Sequence, residues 1–446
     1  MAVPRDRVPM SPQLGRLSEL AREDRARQFS SIAHLLTVEA LQHAFAQLRK
    51  DASAGVDGVT YQEYAVDAPV RIAQLHDRVK SQRYRVQPLR RVYIPKEDGR
   101  QRPISIPSLE DKIVQKATVG LLNTIYEPDF LDCSYGARPG RSAHDALDEL
   151  GRVLCGGQVS YVLEADITGY FDAIVRSQLM EMIEKRVTDG SILRLLRKWI
   201  HVGVLEDERL LHTETGTGQG QVISPLLANI YLHYVLDEWL ETVLKPRLRG
   251  AVHEIRYMDD FVLCFQYQED AERVLRVLPQ RFGRYGLTLH PEKTRLFAFG
   301  PAALRAAQRG EGVPPETFDL LGFTHVATWS RRGYFTVHLR TMRQRFRRSL
   351  RAVMAWCREH RHDPVPAQCA ALNAQLEGHY QYYGRPTNYR ALWRFHRAVR
   401  RIWRRGLNRR TRGTPLSWPA YASLLRRHPL RRPRITHPWA GSASLA

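Results

Sequence analysis

The stretch Glu254-Ile255-Arg256-Tyr257-Met258-Asp259-Asp260-Phe261-Val262-Leu263-Cys264-Phe265 constrains this chain more than any other. Strand-forming residues flank two adjacent carboxylates, so it reads as a β-hairpin with Met258, Asp259 and Asp260 at its turn. An arbitrary Asp-Asp pair more often marks an exposed turn than a reactive centre. Here the returning strand is apolar at every position from Phe261 to Phe265, which places the hairpin in a core. Carboxylates beside a core are unfavourable unless they are paired or hold a metal. That conflict is the first pointer to function.

A third carboxylate joins them. Val159-Ser160-Tyr161-Val162-Leu163-Glu164-Ala165-Asp166-Ile167 reads as a buried strand that ends on Asp166, and Thr168-Gly169-Tyr170-Phe171-Asp172 turns from it into a helix. If this strand and the hairpin share a sheet, Asp166, Asp259 and Asp260 converge. Clustered aspartates suit Mg²⁺, a hard ion that takes oxygen ligands and bridges them to phosphates. Two such ions ~3.5–4 Å apart serve in-line phosphoryl transfer.

Other segments fit that chemistry. Apolar residues alternate on both sides of Asp98-Gly99 over 91–107 and predict a hairpin, with Lys96 and Arg102 near a tip that faces an anion such as a triphosphate. Taken by itself, a solvated surface hairpin explains the pattern equally well. Residues 135–144 form a Gly-, Pro- and Arg-containing loop whose Arg138 and Arg141 are candidates for phosphate contact. A Gly-rich loop over 216–225, containing Gln219, opens an apolar helix at 226–240. Helical spacing is expected within 17–50 and over 70–81, 108–131, 177–200 and 269–285, with a short hairpin at 205–211 and strands at 295–299 and 318–323. Core contacts near the N-terminus are expected from Leu35, Leu41, Phe45 and Leu48. The order strand, helix, helix, hairpin, helix, strand predicts an α+β class with an antiparallel sheet backed by helices.

Charge enters the argument through its distribution. The formal net charge is +22, and residues 331–446 hold 26 Arg, no Lys and only three acids, Glu359, Asp363 and Glu377. The preceding residues hold 42 basic and 43 acidic side chains. A GC-rich coding sequence explains Arg in place of Lys, but not the scarcity of acids. Two helices are expected here, with apolar stripes of Phe346, Leu350, Val353 and Cys357 over 341–360, and of Leu392, Phe395, Val399, Ile402 and Trp403 over 390–410. Opposite the second stripe run Arg390, Arg394, Arg397, Arg401 and Arg405, a face suited to nucleic-acid phosphates. A solvated face is the alternative. Residues 412–446 read as a basic, Pro-rich, partly ordered tail.

The five cysteines are scattered with no Cys-x-x-Cys, which argues against a disulfide framework and a zinc site and for a reducing compartment. No apolar run approaches ~18 residues, so a soluble protein of the bacterial cytosol with no membrane partner is expected.

Eight blocks in one order carry a family resemblance. They are Ala-Gly-Val-Asp-Gly-Val-Thr (54–60), Ile-Pro-Lys with Arg-Pro (94–103), Arg-Pro-Gly-Arg-Ser (138–142), Asp-Ile-x-Gly-Tyr-Phe-Asp (166–172), Gln-Gly-x-x-x-Ser-Pro-Leu-Leu-x-Asn-Ile (219–230), Tyr-Met-Asp-Asp (257–260), Leu-x-x-x-Lys-Thr (289–294) and Leu-Gly-Phe (321–323). Any one block is weak; the eight together are very specific. The chain resembles the reverse transcriptase/maturase proteins encoded by group II introns, strongly over 54–323 and more weakly to about 412.

The resemblance implies a right-hand polymerase, with an antiparallel palm sheet and helical fingers, followed by an all-α thumb/maturase domain. The implied division is an N-terminal extension with the first fingers helices over 1–60, fingers and palm over 61–330, an Arg-rich helical thumb/maturase domain over 331–412 and a basic tail over 413–446. It implies an RNA-directed DNA polymerase with two Mg²⁺ ions, in which Asp166 and Asp259 are the principal ligands and Asp260 lies beside them. Phe171 resembles the gate against a ribose 2′-hydroxyl, Gln219 matches a nucleotide and template contact, and Lys293 matches a lysine near the palm that assists phosphate chemistry. The implied partners are an intron RNA or another RNA template, a DNA primer or target, and dNTPs, with splicing and retrohoming as the biological setting.

Departures from the family pattern are Met258 where alanine is usual, Gly218 where proline is usual and Ala137 where phenylalanine is commoner. They keep open a free-standing, domesticated relative in DNA repair or phage defence without a splicing role. A splicing-only maturase fits less well, because all three aspartates are present. No Cys- and His-rich nuclease follows within these residues, so target nicking by the intron RNA, or priming from an existing end, is expected.

Overall fold

The computed structural model describes residues 12–95, 101–206, 209–211, 215–410 and 415–438. It divides into two compact units, residues 1–146 with 162–296, and residues 147–161 with 297–446. Along the chain come α1 (Pro12–Glu23), α2 (Val38–Ala46), α3 (Tyr61–Ala65) and α4 (Ala68–Lys80), then β1 (Leu89–Pro95) and β2 (Gln101–Ile106), α5 (Leu109–Tyr126) and α6 (Ala143–Cys155). Next are β3 (Tyr161–Ala165), α7 (Tyr170–Ala173), α8 (Arg176–Glu184), α9 (Gly190–Ile200), β4 (Val204–Glu206), β5 (Arg209–Leu211) and α10 (Ser224–Leu232). They are followed by β6 (Val252–Tyr257), β7 (Asp260–Phe265), α11 (Gln268–Gly283), β8 (Arg295–Ala298), α12 (Pro301–Gln308) and β9 (Phe318–Leu320). The last elements are β10 (Phe323–Trp329), β11 (Phe335–Thr341), α13 (Arg343–Glu359), α14 (Val365–Tyr383), α15 (Tyr389–Asn408) and α16 (Trp418–Arg427).

In the first unit, local signals set the early helices. Thr37 caps α2 through the Ala40 amide, and Thr60 with Glu63 makes a capping box on α3. Leu41 and Phe45 are buried as expected, whereas Leu35 and Leu48 are only half-buried and Leu36 takes the inner position. β1 and β2 pair antiparallel, with Ile94 opposite Arg102. The tip between them, including Lys96, lies outside the described residues. β4 and β5 extend this sheet in the order β2-β1-β4-β5, and the β1–β4 pairing is parallel, so the sheets are not purely antiparallel.

α10 is buried nearly all round, consistent with its apolar sequence, and α5 buries most of its length while Glu110, Lys112 and Lys116 stay partly exposed. A second sheet has the order β6-β7-β3-β8, and every residue of β7 from Phe261 to Phe265 is buried, as the apolar run requires. The single helix expected over 177–200 is instead α8 and α9. One carboxylate makes the break: Asp189 Oδ1 accepts the Ser191 and Ile192 amides at 2.9 and 3.2 Å and caps α9. Its Oδ2 accepts the Ile32 and Ala33 amides at 2.7 and 2.8 Å.

The second unit contains a three-stranded sheet of order β11-β10-β9, so the C-terminal region is not the all-α domain expected. Leu321 and Gly322, both with positive φ, join β9 to β10 as a two-residue turn. β10 and β11 then pair over seven positions, from Phe323 with Thr341 to Trp329 with Phe335. Helices α13 to α16 share one core that includes Val353, Leu372, Tyr380, Phe395, Trp403 and Tyr421. Within the expected tail, the described residues 415–438 are packed on this core: Ser417 caps α16, the Tyr421 hydroxyl donates to Arg400 O at 2.8 Å, and Leu430 is buried.

Candidate active site

β6 and β7 pair up to Tyr257 with Asp260, leaving Met258 and Asp259 as a two-residue connection. Asp260 is thus the exposed first residue of β7 rather than part of the turn proper. Met258 has φ 61° and Asp259 has negative φ, the pattern of a type II′ hairpin turn, whose first central position ordinarily favours glycine. A methionine there carries a backbone penalty of about 1 kcal/mol.

β7 is the sheet neighbour of β3, and Asp166 follows the last residue of β3. The loop before β8 fixes that end, since His290 N donates to Asp166 O and Thr168 N donates to Thr288 O, both at 2.8 Å. Lys293 Nζ lies 2.7 Å from Asp166 Oδ2. Burial pushes the Asp259 carboxyl above the usual carboxylate range, and the charge of Asp166 pushes it further. A local backbone hydrogen bond, Arg102 and Arg256 oppose the shift. A buried carboxyl whose ionisation is resisted by burial and by the charge of Asp166, with oxygen as the donor atom, fits a hard divalent cation, which would offset that cost.

A second acidic cluster does not fit a cation in the same way. Among the described residues, Cys133, Asp237 and Glu254 bring ligand atoms within 4.8 Å of one another. The Arg256 guanidinium already pairs with Asp237 there, and burial, with Asp237 beside it, pushes the Glu254 carboxyl up, which disfavours its charged, metal-binding form.

The remaining candidates are held by backbone bonds between loops. Phe171 sits half-buried in α7, its ring centroid 5.5 Å from that of Tyr170, whose hydroxyl donates to Ala228 O at 2.5 Å. Phe171 O accepts the Thr217 amide at 2.9 Å, and Gln219 O accepts the Ser105 amide at 2.6 Å. The Gly-rich loop therefore ties the Phe171 turn to β2, the strand that bears Arg102. Gly220 permits the approach: its φ is 113°, and a Cβ there would lie 2.7 Å from Ser105 O. Beneath the loop, Gln115 Oε1 accepts the Val222 and Ile223 amides while its Nε2 donates to Gln221 at 2.8 Å.

Two sequence candidates are placed differently from expectation. Arg138 is buried at 6% exposure and fully engaged, with Glu127 at 2.9 Å and the Leu131 and Ser134 carbonyls at 2.6 and 2.8 Å. It closes the turn after α5 and is not available to phosphate, because five N–H donors satisfy local acceptors better than an exposed pose would. Arg141 is paired with Asp132 and stacks on Tyr135. In the second unit, Arg390, Arg394, Arg397, Arg401 and Arg405 all lie exposed on α15, opposite buried Leu392, Phe395, Val399 and Trp403.

Sequence reasoning missed the group beneath the turn. Arg256 is fully buried and donates to Asp237 through Nε at 2.7 Å and Nη2 at 2.5 Å, to Asn229 Oδ1 at 3.1 Å, to Ser134 Oγ at 2.8 Å and to Met258 O at 3.0 Å. The available signal was a guanidinium inside an otherwise core-facing strand.

The family profile described as "Reverse transcriptase (RNA-dependent DNA polymerase)" matches residues 94–325. The chain is similar to protein YkfC of Escherichia coli, with 36% identity over 275 residues that cover 54% of this chain and 71% of that protein. It is also similar to the group II intron-encoded protein LtrA of Lactococcus lactis, with 34% identity over 285 residues covering 61% of this chain. That match spans 47% of LtrA, about half its length. A shorter similarity, 29% over 184 residues, covering 33% of this chain and 25% of the relative, links it to nuclear intron maturase 2 of Arabidopsis thaliana. No described helix is long and apolar enough to cross a membrane.

Proposed function

Because the chain belongs to the reverse transcriptase (RNA-dependent DNA polymerase) family, we propose that it extends a DNA primer on an RNA template by two-metal phosphoryl transfer. In this reading the sheet of β6, β7 and β3 is the palm, the β1–β2 hairpin with the early helices forms the fingers, and the Arg-rich helices form the thumb. What supports it most is the placement of Asp166 at the end of β3, beside the strand whose turn bears Asp259, with the charge of Asp166 raising the Asp259 carboxyl.

Asp166, Asp259 and Asp260 are the residues that would hold two Mg²⁺ ions, which supply activation of a primer 3′-hydroxyl and charge neutralisation of a departing pyrophosphate. The protein's own groups do the rest. Arg102 of β2 neutralises the incoming triphosphate. Lys293, 2.7 Å from Asp166, keeps a positive charge beside the carboxylates as phosphate charge develops. Phe171, clamped by the Gly-rich loop, fills the space that a ribose 2′-hydroxyl would need, and Gln219 meets the nucleotide and its template partner.

The decisive assay is extension of oligo(dT) on poly(rA) by the full chain with Mg²⁺. Incorporation of dTTP with about a hundredfold preference over UTP is expected. No extension on any RNA template would refute the reading.

The exposed arginines of α15 and the similarity to LtrA and to an intron maturase support an intron RNA as the cognate ligand, held during splicing and retrohoming. Met258 in place of alanine supports instead a free-standing enzyme of DNA repair or phage defence. A ribozyme-like RNA flanking the coding sequence would favour the first; a gene standing alone would favour the second.

A further inference from the structure

We propose that Arg256 is a positioning residue for the carboxylate centre: it holds the Met258 peptide in its left-handed conformation and thereby aims Asp259, an inference that rests on the polymerase reading above. Met258 has φ 61°, a conformation a methionine does not hold by itself. Its carbonyl oxygen accepts from Arg256 Nη1 at 3.0 Å. The guanidinium is immobile because Asp237 takes it from one edge at 2.7 and 2.5 Å, while Ser134 Oγ and Asn229 Oδ1 hold its remaining donors.

The opposite side of the turn is closed as well. A Cβ on Gly136 would lie 2.5 Å from Met258 N and 3.0 Å from Tyr257 C, so only glycine lets this backbone lie against the turn. Asn229 joins the two sides, accepting from Arg256 with its Oδ1 and donating from Nδ2 to Gly136 O at 2.7 Å. The segment that carries Ser134 and Gly136 is laid along β6 itself, through Arg256 N to Cys133 O at 2.8 Å and Tyr135 N to Arg256 O at 2.9 Å.

A buried ion pair of this kind is often no more stabilising than apolar side chains of the same volume. Its location is what explains its use. All five guanidinium donors point at groups within reach of the turn, and one of them ends on the strained peptide that immediately precedes Asp259. Arg256 touches no reacting atom in this account; it acts through Met258 O.

The test uses the full-length double variant Arg256→Met with Asp237→Leu, which removes both charges and leaves neither unpaired. Expected is a thermal midpoint near that of the parent, a kcat for primer extension down about 100-fold, and a KM for dNTP changed less than about threefold. Amide hydrogen exchange at 258–260 should accelerate. Adding Met258→Gly should recover about tenfold in kcat, because glycine adopts the positive φ without support. A residue that merely filled the core would shift the midpoint without this kcat–KM split and without glycine rescue. Parental kcat together with unchanged exchange in the double variant would overturn the proposal.

If that variant does not fold, Arg256→Lys carries the test: it keeps a cation against Asp237 but lacks the fork that also reaches Met258 O. The same loss of kcat is expected, and a parental kcat would refute the role. Absence of extension by the unsubstituted chain would instead refute the polymerase reading, and the exchange at 258–260 would still judge Arg256.

Discussion

Asp259 sits where burial and Asp166 both resist its ionisation, so its carboxylate is a group waiting for a counter-charge. In the proposed function, Phe171 acts through its size rather than its charge. Replacing it with valine should raise the use of UTP relative to dTTP by about tenfold or more while leaving dTTP incorporation within a few-fold, read by competing nucleotides in the extension assay. An unchanged ratio would make Phe171 a packing residue beside Tyr170. Arg138 separates structural from ligand-binding arginines in the opposite direction. With its side chain 3% exposed and paired to Glu127, Arg138→Ala should lower stability by about 3 kcal/mol in urea unfolding and leave RNA affinity at matched folding unchanged. A loss of RNA binding with parental stability would return it to the surface role that its motif suggests.

Elements report how distant residues set local structure. Asp189 closes four amides, two of them at 156 and 157 positions' separation, so Asp189→Ala should destabilise the first unit by about 2 kcal/mol, more than an ordinary helix cap. That is also why the break between α8 and α9 was not legible: the apolar spacing runs on through 177–200, and the interruption is imposed by a tertiary contact with residues 32 and 33. The hairpin of β6 and β7 was legible because two-residue alternation and adjacent carboxylates are local signals. The β10–β11 hairpin went unread although Ser330-Arg331-Arg332-Gly333 is a good turn and both strands carry alternating residues. α14 buries one face, Gln368, Leu372, Leu376, His379 and Tyr380, but the polar Gln368 and His379 within it blur the apolar stripe. Two histidines of these elements carry an acid-sensitive contribution. His325, stacked on Phe318 at 4.6 Å, and His379, stacked on Phe395 at 3.7 Å, are each pushed down to about 4 by burial. Both are neutral when folded, whereas the unfolded chain takes up their protons below its ordinary pKa of about 6.5. Their contribution is therefore full above about pH 6.5 and is lost as the pH falls toward 4. At pH 5 the loss should be about 2 kcal/mol per histidine, and His325→Phe should remove its share of the difference between urea midpoints at pH 7.5 and pH 5.

For the whole molecule, the charge division is the property that composition conveys best: a near-neutral first part and a C-terminal part that carries essentially all of the net +22. The exposed arginines of α15 give this a testable form. Arg394→Ala with Arg401→Ala should weaken RNA binding and flatten the dependence of log affinity on log salt by about 1.5 to 2. A slope equal to the parent's would make the stripe a solvated face. The aspartates, Phe171 and the glycine-rich loop were legible as candidates at the scale of motifs, because each proposed role requires a particular residue type at a local spacing. The support beneath them was not, because Arg256, Asp237, Asn229 and Gly136 meet only through folding. The central claim is that Asp166 and Asp259, with Asp260 beside them, form one catalytic centre for RNA-templated DNA synthesis. Single-turnover primer extension by Asp166→Asn, Asp259→Asn and the parent, at matched folding and RNA binding, tests it most directly. Each substitution should lower the rate by at least about 10³-fold; extension at the parental rate by either variant would place the catalytic metal ligands elsewhere.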